Sequence, residues 1–324
     1  MHLITIKFGM KKLVYIISIS LSFFSGRAFS ATYNNHNPIG LRNYLIPKDT
    51  AKKADADTAD DEDIKHRTFE IGLKGASDQA SHGLHGVSKL PYLEPSFTYT
   101  AKSGFYIEVS DQFVFAKKYS GFYVFGLNPG WDIDLTDNTT LGFSLQFYRV
   151  NPKADALLQS SFNNELSTYI EQDVGDFEGK LTIAYDIYNP LPGQAKTPSD
   201  IIFTPDITYD HEFDFKHKQS LHIEPEVNFE FGTRNIYTQY QNALVNDSSL
   251  NGQKIKGKGF AGGSNASFGT LDFNLMLTIE YKIGKFKIEP AITYAYPLYK
   301  PSGLSNSPSF YGSITLGYKI RGKK

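Results

Sequence analysis

The chain has 324 residues, no cysteine and a formal net charge of −1 at pH 7. The missing thiols exclude disulfides, thiolate metal centres, cysteine nucleophiles and a lipid-modified cysteine, and a near-neutral charge leaves no footprint for nucleic acid. Aromatic residues make up 15%, with 25 Phe and 21 Tyr, which suits pleated strands and the aromatic girdles of membrane interfaces.

Residues 1–30 read as a secretory signal. Lys11 and Lys12 form a basic start, Leu13 to Phe24 an apolar stretch, and Ala28-Phe29-Ser30 before Ala31 a small-residue cleavage site. A start at Met10 would open on the more usual Met-Lys-Lys. The apolar run is too short to cross a bilayer as a helix, and no other window offers one. Residues 31–65 carry Pro38, Pro47 and an acidic run from Asp55 to Asp63, which predicts a solvated, disordered periplasmic tail. The run lacks the glycine and terminal glutamate of a calcium loop, and no metal or other cofactor is expected.

From residue 66 onward, apolar and polar residues alternate over long stretches. The clearest puts Leu271, Phe273, Leu275, Leu277, Ile279 and Tyr281 on one face, with Thr270, Asp272, Asn274, Thr278, Glu280 and Lys282 on the other. A period of two means a strand with one apolar side. Such strands exceed the usual length of about 5–6 residues and match the ~9–11 residues a tilted strand needs to span a bilayer. Twelve are predicted, at 67–75, 91–101, 104–115, 121–134, 139–150, 164–174, 177–188, 201–214, 220–232, 269–283, 286–298 and 309–320. Alternation is least pure in the first and the sixth.

The links between them alternate in length. Short ones are Lys102-Ser103, Leu135 to Asn138, Gly175-Asp176, Phe215 to Gln219 and Gly284-Lys285. Longer ones cover 76–90, 116–120, 151–163, 189–200, 233–268 and 299–308. In an antiparallel barrel every second link lies at the same end, so this order places the tight turns at one rim and the long loops at the other. The fold class is therefore all-β: a transmembrane, antiparallel, up-and-down β-barrel of about 12 strands over residues 66–324. An even strand count puts both ends of the barrel at the tight-turn rim. A soluble sandwich or lipocalin-like barrel would also alternate, but gives no reason to sort loops in this way. The segments LEPSFTY (93–99), FTPDITY (203–209), IEPEVNF (223–229) and IEPAITY (288–294) each carry a proline in phase with the apolar set. Proline belongs at strand starts, edges or bulges, so control of shape and register is expected there.

With the apolar face toward lipid, the polar face must line the lumen. Strands eight and nine then supply Asp206, Asp210, Glu212, Asp214, His222, Glu224, Glu226 and Glu230, and their neighbours add Lys180, Asp272, Glu280, Lys282, Lys287 and Glu289. Like charges at this density need screening by water or pairing with Lys180, Lys282 and Lys287. The first case gives a cation-leaning pore; the second gives a salt-bridged interior that holds the barrel open. Twelve strands lie between the filled interior of eight and the open channel of sixteen.

Signals for catalysis are weak. No serine has a nucleophile-elbow context, and the best hydrolase candidates are Ser77, Ser81, His82 and His85 in one external loop. His211 falls on the outward face. Gly257-Lys258-Gly259-Phe260-Ala261-Gly262 matches a dinucleotide fingerprint, but neither follows a parallel strand nor opens a helix. The loop that holds it, 233–268, carries Arg234, Lys254, Lys256 and Lys258, and could fold into the lumen or lie against lipopolysaccharide.

The stretches PSFTYTAKSGFYIEVS (95–110) and IEPEVNFEFGTRNIY (223–237) resemble the Gram-negative outer-membrane β-barrels, in particular barrels of the Bacteroidota type. The resemblance spans about residues 66–320. It implies an outer-membrane location with periplasmic termini, contact with lipid and lipopolysaccharide, and a monomer or weak homo-oligomer. The final strand departs from the common barrel signature, ending Tyr318-Lys319-Ile320 without a terminal Phe. The expected function is a narrow passive channel for small hydrophilic solutes. A non-conducting barrel that binds through its loops comes second, and a lipid- or peptide-hydrolase third.

Overall fold

The alternation decides which way each strand turns its side chains, and the wall that results is inside-out relative to a soluble protein. The computed structural model describes residues 67–78, 80–81, 84–85, 91–115, 120–151, 162–188, 199–215, 218–235, 267–299 and 308–321. The expected signal, the tail and most of the long loops lie outside these residues.

Twelve antiparallel strands form the wall: β1 (Thr68–Ala76), β2 (Tyr92–Thr100), β3 (Phe105–Phe115), β4 (Ser120–Thr136), β5 (Thr139–Val150), β6 (Phe162–Val174), β7 (Phe177–Tyr188), β8 (Ser199–Tyr209 continued by His211–Phe215), β9 (Gln219–Gly232), β10 (Gly269–Ile283), β11 (Phe286–Pro297) and β12 (Ser309–Arg321). Each pairs with its neighbours in sequence, and β1 pairs with β12, from Thr68↔Arg321 to Ala76↔Ser313. The barrel is closed, so no strand edge is left to pair with another chain.

Large apolar side chains point outward and stay exposed, among them Ile71, Phe97, Ile170, Ile207, Leu277 and Ile314. Between them, polar side chains point inward and are buried, including Glu94, Gln112, Glu165, Asp186, Glu226 and Asp272. Water on both faces would reject that arrangement, whereas hydrocarbon outside and a polar interior require it. The chain is a transmembrane β-barrel of the outer-membrane type.

The tight turns share one rim. The N–H of Asp132 donates to Gly104, that of Asp173 to Asn138, that of Asp210 to Asp176, and that of Lys319 to Lys285, so each turn is stitched to the next strand over. Gly175 and Gly284 supply the positive φ, 64° and 60°, that the first central position of a tight hairpin turn requires. Thr68 lies opposite both Thr100 and Arg321, so both ends of the barrel sit at this rim. Outward aromatics gather there: Phe69 on Tyr99, Phe177 on Tyr209, and Phe286 on Tyr318, with ring centroids 5.0, 5.0 and 4.6 Å apart. Trp131 joins them, its indole N–H donating to Ser103. Such a belt marks a membrane–water interface.

Two expectations change in detail. Leu271 is fully buried rather than lipid-facing, because the register with β9 shifts between Glu230 and Phe231 and leaves it as the extra residue of a bulge. The prolines are not at edges, starts or bulges. Pro95, Pro205, Pro225 and Pro290 lie mid-wall and face outward. At each the ladder to one neighbour skips a rung while the register on both sides is unchanged, as between Phe203↔Phe231 and Asp206↔Asn228 and between Thr278↔Ala291 and Tyr281↔Ile288. A missing N–H removes the bond without moving the strand.

On the inner wall, glycines take aromatic rings. A Cβ at Gly142 would meet Cε1 of Tyr169 at 2.0 Å, and one at Gly130 would meet Cζ of Tyr106 at 2.2 Å. Tyr169 is pinned by its hydroxyl on Asp132 at 2.7 Å and by the Lys180 ammonium 4.2 Å above its ring. Gly142→Val is therefore expected to expel the ring and cost about 1–3 kcal/mol, the usual range for overpacking. Equilibrium unfolding in vesicles checks this, and adding Tyr169→Ala is expected to recover most of the loss.

Candidate functional site

Inward side chains on β8, β9 and β10 form one continuous wall, and a break in β8 sets its chemistry. Pro225 of β9 has no N–H for a rung to β8, and pairing stops at Thr208↔Glu226 and resumes at His211↔Ile223. Asp210 occupies the gap, its own N–H turned to Asp176 of the neighbouring turn.

Across the gap stands His222, 4% exposed. Its Nδ1 lies 3.1 and 3.4 Å from the two oxygens of Asp210, and its Nε2 lies 3.2 Å from Oε1 of Glu212 and 3.3 Å from Oγ of Ser220. Glu280 pairs with His222 from β10, and its carboxylate is held by Lys282 at 2.8 Å. Glu224 lies two residues beyond His222 on the same face, with one oxygen close to both Asp210 and the ring. Asp214 shares the inward phase, but sits at the rim and is exposed.

Further from the tight turns, Asp206 pairs with Asn228 and lies opposite Lys180. Lys180 itself reaches Glu171 at 3.3 Å. Asn228 donates to Glu226 at 2.8 Å, and Asn274 donates to both Asn228 and Asp272. Glu230 and Asp272 face each other in register, both buried. On β11, next to β10, Lys287 bridges Glu70 at 3.0 Å and Glu289 at 3.5 Å. Carboxylates outnumber lysines on the inner face of the described strands.

The structure thus brings Asp210, Glu212, His222, Glu224, Glu280 and Lys282 into one group near the tight-turn rim. Asp206, Glu226, Glu230, Asp272 and Lys180 form a second group above it, and Lys287 and Glu289 a third. Reading by sequence left out Glu70, Lys74, Glu94, Glu165, Glu171 and Asp200, all of which lie on the inner face. Lys74 stands opposite Glu94. A strict period of two through β1 and β6 would have found Glu70, Lys74, Glu165 and Glu171, where mixed alternation hid the phase; Glu94 lies on β2, and Asp200 one residue before the predicted start of β8.

Among the hydrolase candidates, Ser77 spends its hydroxyl on the carbonyl of Gly312 at 3.2 Å, and His82 lies outside the described residues. His211 stands outward between Tyr209 and Phe213, 3.6 Å from Asp176. The fingerprint at 257–262 and nearly all of loop 233–268 lie outside the described residues. Arg234, at the start of that loop, stacks on Tyr299 at 3.9 Å and donates to Thr270.

No protein-family model matches the chain, and no curated protein matches it in sequence. Among solved structures it is similar to the NanC porin, at 10% identity and a TM-score of 0.44 over 77% of this chain and 100% of that one. An outer-membrane channel from Pseudomonas putida F1 overlaps at 10% identity and 0.43, over 81% and 99%. LpxR from Salmonella typhimurium overlaps at 7% and 0.41, over 77% and 99%. Overlaps this loose carry no information about what the barrel does.

Proposed function

We propose that the barrel is a narrow passive channel of the outer membrane, with a cation-leaning lumen and periplasmic termini. The observation that carries this is the excess of inward carboxylates on β8 and β9 over the inward lysines of the described strands, Lys74, Lys180, Lys282 and Lys287. Unbalanced negative charge on a low-dielectric wall raises the local concentration of cations and repels anions. Small hydrophilic cations and hydroxyl-rich neutral solutes fit such a lumen. Its side chains pack closely, with Asp186 at 0% and Glu226 at 5% exposure, which supports a tight passage over a wide one.

The same close packing favours a second reading, a non-conducting barrel acting through its external loops. Single-channel recording on the reconstituted protein separates the two. A cation-selective conductance is expected, and Glu224→Gln with Glu226→Gln is expected to move the reversal potential in a salt gradient toward zero. Absence of any conductance would favour the second reading. Hydrolysis has no support from the described residues.

A further inference from the structure

We propose that Asp210, Glu224 and Nδ1 of His222 form a binding site for a divalent cation of the zinc class, with Glu212 as its positioning residue. The inference goes beyond the channel reading and holds whether or not the barrel conducts.

Three features combine. First, one oxygen of Asp210, one of Glu224 and one ring nitrogen of His222 all lie within 4.8 Å of one another. Two donors bound at about 2.0–2.1 Å in a tetrahedron are roughly 3.3 Å apart, and Nδ1 lies 3.1 and 3.4 Å from the Asp210 oxygens. The edge of a coordination polyhedron is already laid out.

Second, the two ring nitrogens face different partners. With Nε2–H donated to Glu212 at 3.2 Å, the Nδ1 lone pair is left aimed at Asp210. A lone pair cannot face a carboxylate at this distance without a positive centre between them. A proton can serve, and so can a metal ion. A carboxylate behind the ring with metal in front is the arrangement that holds ligating histidines in place.

Third, carboxylates outnumber cations here among the described residues. Asp210, Glu212 and Glu224 surround one imidazole, and the nearest lysine of β10, Lys282, is held by Glu280 at 2.8 Å. A divalent ion neutralises what one proton on the ring leaves over. The mixed donor set, one imidazole with carboxylates, suits zinc or manganese better than calcium or magnesium, which prefer oxygen alone. The site's backbone also fits the role: pairing of β8 with β9 stops at Thr208↔Glu226 and resumes at His211↔Ile223, so Asp210 sits at a break in the ladder.

Equilibrium dialysis of the refolded, detergent-solubilised full chain against Zn2+ tests the proposal without reference to conductance. One saturable Zn2+ equivalent is expected that excess Ca2+ does not displace. His222→Gln is expected to abolish it, and Glu212→Gln to weaken it by about 10–100-fold, the usual effect of losing a carboxylate behind a ligating imidazole. His211→Gln, in the outer aromatic belt, is expected to leave it unchanged. Heat-dependent gel mobility verifies that each variant is assembled; should His222→Gln fail there, Glu224→Gln carries the same prediction. Equal Zn2+ binding by wild type and His222→Gln, or displacement by Ca2+ at equal concentration, overturns the site.

Discussion

Leu277→Arg is expected to destabilise the barrel by about 2–4 kcal/mol, the cost of a guanidinium on the lipid face near the bilayer middle. Leu277 is 41% exposed and lies mid-strand on β10, between Pro225 of β9 and Ile292 of β11. Met276→Arg, one position earlier, is expected to cost far less. Its side chain points inward opposite Glu226, where a cation gains a partner in a polar interior. The two substitutions share an added charge and nearly the same place, so strand propensity and net charge cannot separate them. Only the side of the wall can. Urea titration in lipid vesicles, followed through the fluorescence of Trp131, the single tryptophan, measures both. A larger loss for Met276→Arg would mean that the apolar side faces protein instead of hydrocarbon.

Much of this architecture was legible because one physical rule acts at every residue of the wall. Hydrocarbon on one side and water or charge on the other impose a period of two, and β5, β7 and β10 end where the alternation ends. Departures have local causes that a periodicity does not carry. Leu271 sits on the apolar phase, yet a one-residue bulge buries it. Pro225 was readable as a residue without an N–H, but the partner it interrupts is set by the register of β8 against β9, which depends on the link between Phe215 and Gln219. The group around His222 follows from that register. Alternation placed Asp210, Glu212, His222 and Glu224 on one face; it could not show that Glu212 and Asp210 take different ring nitrogens. Glu70 and Lys74 were missed for another reason. Gly72, Gly75 and Ala76 dilute the pattern in β1, so its inward phase carries little contrast in sequence.

Lys287→Met is expected to act in two directions at once: stability falls by about 1–3 kcal/mol, and preference for cations rises. The ammonium bridges Glu70 on β1 and Glu289 on its own strand, while its stem lies across Gly317, where a Cβ would meet Lys287 carbons at 2.6 Å. Methionine keeps most of the stem and removes the charge, leaving two facing carboxylates unpaired. Breaking one partner of a buried pair costs about 3–5 kcal/mol; here the carboxylates are partly open to the lumen, and water returns some of that loss. Adding Glu70→Gln is expected to restore much of the stability, since one fewer carboxylate is left unpaired. Selectivity follows the fixed charge of the wall instead. The single substitution shifts the reversal potential further toward the cation value, and the double substitution returns it. Loss of stability without a change in selectivity would place Lys287 among purely structural pairs, outside the path that ions follow.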